Sequence, residues 1–153
     1  EQLTAQLMAM ETAMLYVPVH ILLEDGRLTR QLARRGNVAA VLPRIVHDDE
    51  LTRLKLGLND LYAQGVRDVL VGNLGLLIPA REAKMRIHGD FGLNIYNSRS
   101  MDVARDLQLA SACLSFEMTM PQIRDMSKAV KMEIIINLCS VQMDYGNFLL
   151  IIS

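Results

Sequence analysis

Tryptophan is absent from the 153-residue chain, and aromatic residues make up only 5% of it. Few stacking rings and a net charge of −1 leave no general pull toward nucleic acid or anionic lipid. The two cysteines, Cys113 and Cys139, exclude a disulfide scaffold and suit a reducing, cytoplasmic compartment. No apolar run approaches the roughly 20 residues that span a bilayer. No Pro/Ser-rich linker divides the chain, so one ordinary domain is expected. His20, His47 and His88 lie on separate segments without metal-ligand spacing, and no metal site is assigned. There is no Gly-x-Ser-x-Gly elbow, so a serine nucleophile is unsupported. What the chain does have is 51% hydrophobic residues against 22% charged ones, enough apolar content to bury a core.

That content is organised. Six apolar runs bounded by turn residues read as buried strands: Leu15 to Leu22, Val38 to Val46, Asp68 to Gly72, Met85 to Gly89, Ala110 to Phe116 and Met132 to Ile136. Helical signals lie between them. Asp48-Asp49-Glu50 opens one helix, with Leu51, Leu54, Leu58 and Leu61 as its stripe and Gly65 past its end. Thr119-x-x-Gln122 with Pro121 opens another. Ser98 or Ser100 is expected to cap a third through Leu107, and residues 1–12 read as an earlier helix. The alternation predicts an α/β fold, a parallel sheet with helices outside. Two arrangements suit it, an open doubly wound sheet or a partial TIM-like (β/α) barrel. A whole barrel takes about 250 residues.

In either arrangement chemistry gathers at the carboxyl ends of the strands. The polar residues expected there are Arg44 and His47, Gly72-Asn73, His88 through Asn97, and Ser115 with Glu117. Asparagine and aspartate at such places often only cap the next helix. Asn73, Asp90, Asn94, Asn97 and Glu117 together exceed what capping needs. Asp90-Phe91-Gly92 matches the magnesium motif of protein kinases, but the other kinase motifs are absent. Gly72-Asn73-Leu74-Gly75 is too short for a dinucleotide loop. Cys113, inside an apolar run, reads as a small hydrophobe, and the methionines as core filling.

The stretch Ile87-His88-Gly89-Asp90-Phe91-Gly92-Leu93-Asn94-Ile95-Tyr96-Asn97-Ser98 closely resembles the hallmark loop of the collagenase-like peptidase family, U32. Leu114-Ser115-Phe116-Glu117-Met118-Thr119 resembles that family's next strand end, and Val71-Gly72-Asn73-Leu74-Gly75 its preceding turn. Leu42-Pro43-Arg44-Ile45 is similar to a family strand, and the likeness runs over roughly residues 14–136. It implies a (β/α)-barrel-like catalytic domain of a cytoplasmic protein acting on peptides. Some relatives imply an alternative, iron–sulfur hydroxylation of RNA bases or quinone precursors, with RNA or a small molecule as substrate. A non-catalytic binding remnant of the barrel is a further alternative. Carried over residue by residue, the resemblance makes Asp90 and Glu117 candidate catalytic acid/base groups. It makes Asn73, Asn94 and Asn97 candidate substrate-binding groups, joined by Arg44, whose guanidinium suits a carboxylate or phosphate.

The likeness fades after Ile136. Residues 137–153, with Cys139 and the apolar end Phe148-Leu149-Leu150-Ile151-Ile152-Ser153, depart from the family pattern and from its cluster cysteines. The expectation is therefore a fragment: a partial barrel over 1–136 and an aberrant tail over 137–153. No iron–sulfur cluster is expected here, though the resemblance implies one in some intact relatives. Exposed sheet edges in such a piece predict self-association, with no membrane partner.

Overall fold

Strand and helix alternate along residues 12–135, the part of the chain that the computed structural model describes. The strands are β1 (Leu15–Pro18), β2 (Val38–Val41), β3 (Asp68–Val71), β4 (Arg86–Gly89), β5 (Ser111–Cys113) and β6 (Lys131–Glu133). Between them run α1 (Val19–Glu24), α2 (Gly26–Ala33), α3 (Asp48–Ala63), α4 (Leu77–Glu82), α5 (Ser98–Asp106) and α6 (Met120–Asp125). The six strands form one sheet in the order β1-β2-β3-β4-β5-β6, every neighbouring pair parallel. A doubly wound sheet would reverse its order partway. This one does not, so the winding is that of a (β/α) barrel.

Side chains show that the sheet curls. Across a flat sheet of this order β1 and β6 would stand about 24 Å apart. Yet the Tyr16 hydroxyl on β1 donates to Glu133 Oε2 on β6 at 2.7 Å. The Tyr16 and His88 rings, from β1 and β4, meet edge to face with centroids 6.3 Å apart. The concave face therefore carries Tyr16, Asp68, His88, Ser111 and Glu133, while Leu15, Val17, Val38, Ala40, Val69, Val71, Ile87, Ala112 and Leu114 join the core on the convex side.

The helices cover that convex face. Leu54, Leu58 and Leu61 of α3 are buried there with Leu22 of α1 and Leu32 of α2. Burying each leucine stabilises the fold by about 1.5 to 3 kcal/mol. The acidic first turn of α3 is stabilised by its dipole, and the Glu50 carboxylate accepts the His47 N–H at 3.0 Å. Gly65, at φ 103°, makes the left-handed turn after α3. Thr119 N–H donates to Gln122 Oε1 at 2.8 Å at the start of α6. Among the described residues no helix is long and apolar enough to cross a membrane.

Several local expectations are corrected. The run Leu15 to Leu22 is not one strand, since β1 stops at Pro18 and α1 follows. Proline has no N–H to continue a ladder, and its fixed φ suits a helix start. Helix α5 is capped by neither Ser98 nor Ser100. Asn97 is its N-cap, with Oδ1 accepting the Ser100 N–H at 2.8 Å, and Ser100 Oγ accepts the Asn97 N–H in return at 3.2 Å. His88 belongs to the body of β4 and not to the polar loop after it. The expected helix over 1–12, save Thr12, and the tail over 137–153 with Cys139 lie outside the described residues.

Candidate functional site at the barrel mouth

Three strand ends meet above the sheet. Asp90, which follows β4, has its Oδ2 3.2 Å from the Arg44 guanidinium and its Oδ1 accepting the Phe91 N–H at 2.8 Å. Asp90 is 6% exposed, whereas about half of the Arg44 side chain faces solvent. The Arg44 guanidinium also lies over the Phe91 ring, 3.7 Å from its centroid. Asn73 joins the second and third loops. Its amide donates to the Arg44 carbonyl at 2.9 Å, and its Oδ1 accepts from the Gly75 N–H at 2.9 Å. Arg44, Asn73 and Asp90 are thus one connected group.

Two glycines allow this convergence. A Cβ on Gly92 would lie 2.8 Å from the Gly72 carbonyl oxygen, and one on Gly72 would lie 3.1 Å from Asp90 Oδ2. Gly92→Ala should therefore push the Asp90 loop off the β3 loop and cost about 1 to 3 kcal/mol by overpacking, read as a lower urea midpoint. An unchanged midpoint would show that this backbone contact can relax.

Glu117 and Asn94 meet elsewhere on the mouth. The backbones of their segments run side by side through the Ile95–Leu114 bridge, and Ser115 N–H donates to the Ile95 carbonyl at 2.9 Å. Glu117, Asn94, Tyr96, Met118 and Gln122 line an open cleft of about 300 Å³. Asn94 sits in the left-handed region at φ 53°. Gln122 Oε1 is held by both the Thr119 N–H and the Thr119 hydroxyl, at 2.8 and 2.9 Å, so its amide keeps N–H groups to offer. Asn97 stands apart from both groups, with its Oδ1 engaged as the α5 cap.

Under the mouth lies a buried polar network that the sequence reading missed. Asp68 Oδ1 is 2.8 Å from His88 Nε2, and His88 Nδ1 is 2.6 Å from Ser111 Oγ. Asp68 also accepts a forked pair from Arg86, the Nη2–Oδ2 contact being 2.9 Å. Glu133 accepts from Tyr16 and has Oε1 3.8 Å from His88 Nδ1. The order Asp68–His88–Ser111 imitates a nucleophilic triad, but Ser111 is 0% exposed and no substrate carbonyl reaches it. Burial pushes the Asp68 carboxyl up, and hydrogen bonds from His88 and Arg86 with their charges outweigh it, leaving it below its ordinary value. Burial, then the bond to Glu133 and its charge, raise the Tyr16 phenol, which stays a donor. Burial, then the charges of Asp90 and Glu133, push the Cys113 thiol up to about 12. Cys113 is therefore an inert neutral thiol at neutral pH, as its place in an apolar run predicts.

The signal for this network was a period of two. Asp68 and Leu70, His88 and Asp90, Ser111 and Cys113 alternate with residues of the outer core. Within short runs that alternation looks like uninterrupted apolar strand.

A search against family models decides the relationship, since the model of peptidase family U32 matches residues 27–138. The chain belongs to peptidase family U32. No curated protein and no solved structure gives a significant match. The U32 match spans β2 to β6 and so contains Arg44, Asn73, Asp90, Asn94, Asn97 and Glu117. Of the two cysteines in the sequence, Cys113 is buried and stays neutral.

Proposed function

We propose that this chain hydrolyses peptide bonds at the Glu117 cleft. The observation that carries it is a carboxylate sharing an open cleft with the amides of Asn94 and Gln122, in a chain of peptidase family U32. A peptide backbone presents alternating N–H and C=O groups, which side-chain amides can match. The Glu117 carboxylate takes a proton from water, and the resulting hydroxide adds to the substrate carbonyl carbon. Amide N–H groups of Gln122 and Asn94 donate to the oxyanion that develops. As the C–N bond breaks, the protonated Glu117 returns its proton to the leaving amine. Asp90 does not face this cleft. It fixes Arg44, whose remaining guanidinium N–H groups are available to a substrate carboxylate.

The experiment incubates the chain with a mixed peptide library in water enriched in oxygen-18 and reads the products by mass spectrometry. Hydrolysis places one labelled oxygen in each new carboxyl group, and Glu117→Gln should abolish the labelled products. An uncut library, or labelled products that persist undiminished in Glu117→Gln, would overturn the proposal.

A further inference from the structure

Beside the Glu117 cleft the mouth keeps an aromatic surface that the hydrolytic step does not use. Phe116 is 69% exposed, an unusual cost for a ring in a chain with so few. It is not loose. Its ring meets Phe91 edge to face, with centroids 5.9 Å apart at 71°. Phe91 is in turn covered by the Arg44 guanidinium, which Asp90 holds. The chain Asp90–Arg44–Phe91–Phe116 thus braces one exposed ring from behind. Tyr96, 56% exposed, lines the cleft from the neighbouring segment.

We infer that Phe116 and Tyr96 form a specificity subsite for an aromatic side chain of the bound peptide. This rests on the peptide reading of the cleft. Phe116 immediately precedes Glu117, and the Ile95–Leu114 bridge with the Ser115 N–H bond to the Ile95 carbonyl runs its segment beside that of Tyr96, which brings the two exposed rings to the same part of the mouth. A ring already engaged edge to face on one side presents its remaining surface to another ring in offset or edge contact. Aliphatic side chains gain the burial but not that geometry. Arg44 adds a preference for a carboxylate nearby without contacting the side chain itself.

The test separates binding from turnover. Two fluorescent N-acetylated peptides, alike except for Phe or Ala at one position, are titrated by anisotropy into the intact chain, into Phe116→Ala and into Phe116→Leu. The expected result is about tenfold tighter binding of the Phe peptide to the intact chain. Phe116→Ala should erase the preference, and Phe116→Leu, which keeps an apolar side chain beside Phe91 but no ring, should keep only part of it. Equal binding of the two peptides by the intact chain would overturn the inference, as would a preference that survives Phe116→Ala. The oxygen-18 assay is run on the same two peptides. A Phe preference in binding without hydrolysis upholds the subsite and overturns the peptidase reading. Hydrolysis without any preference does the reverse.

Discussion

Glu117→Gln should lower kcat/KM on a cleaved peptide by about 100- to 10,000-fold, the range for removing a positioned general base. The substitution keeps the size of the side chain and the cleft lining of Asn94, Tyr96, Met118 and Gln122. Binding of a peptide should therefore change little, and the loss should fall on kcat rather than KM. Glu117 takes no part in the buried network, so the urea midpoint of the variant should match that of the parent. Arg44→Ala should behave differently, weakening peptides that carry a carboxylate and leaving Asp90 without its cation. Rates for Glu117→Gln within a factor of two of the parent would remove Glu117 from the chemistry.

Asp68→Ala should destabilise the fold by about 3 kcal/mol, because it strips partners from two groups at once. His88, nearly buried, loses the acceptor for Nε2, and Arg86 loses its forked carboxylate. Arg86→Ala should cost less, about 1 to 2 kcal/mol, since the guanidinium itself is largely exposed and the buried Asp68 carboxylate it leaves still accepts from His88. The pH dependence has a definite sign. The folded Asp68 carboxyl lies below its ordinary value, so it binds protons less readily in the folded state. Its contribution is complete above the unfolded carboxylate range, about pH 4. It fades as pH falls through the lower folded value. Asp68→Asn should flatten the acid limb of stability measured by urea unfolding between neutral pH and pH 3. Equal losses from Asp68→Ala and Arg86→Ala would mean that the buried end of the network contributes nothing special.

Much of the architecture was legible from local chemistry. The acidic opening of α3, its leucine stripe and Gly65 follow from dipole, periodicity and backbone freedom within one segment. The Thr119–Gln122 box is equally local, spanning a single turn. Pro18 shows where local reading errs, because an apolar run crossing a proline can hold a strand and then a helix. Ser98 and Ser100 looked like caps because serine caps well, but Asn97 stands one residue earlier and Ser100 completes the box with it. The mouth was legible in kind. Arg44, Asn73, Asp90, Asn94 and Glu117 do lie at or just beyond strand ends. Their division into an Arg44–Asn73–Asp90 group and a Glu117–Asn94 cleft was not legible, because it depends on which loops touch.

The sequence by itself determined the alternation of strand and helix, the polar strand ends and the family, because each is written in residues close together along the chain. Only the tertiary structure decided between an open doubly wound sheet and a barrel winding, since strand order is a long-range property. It alone turned the inward-facing Tyr16, Asp68, His88, Ser111 and Glu133 into one network. Those residues lie as far apart in sequence as β1 and β6, and only the curl of the sheet closes the 2.7 Å hydrogen bond between Tyr16 and Glu133.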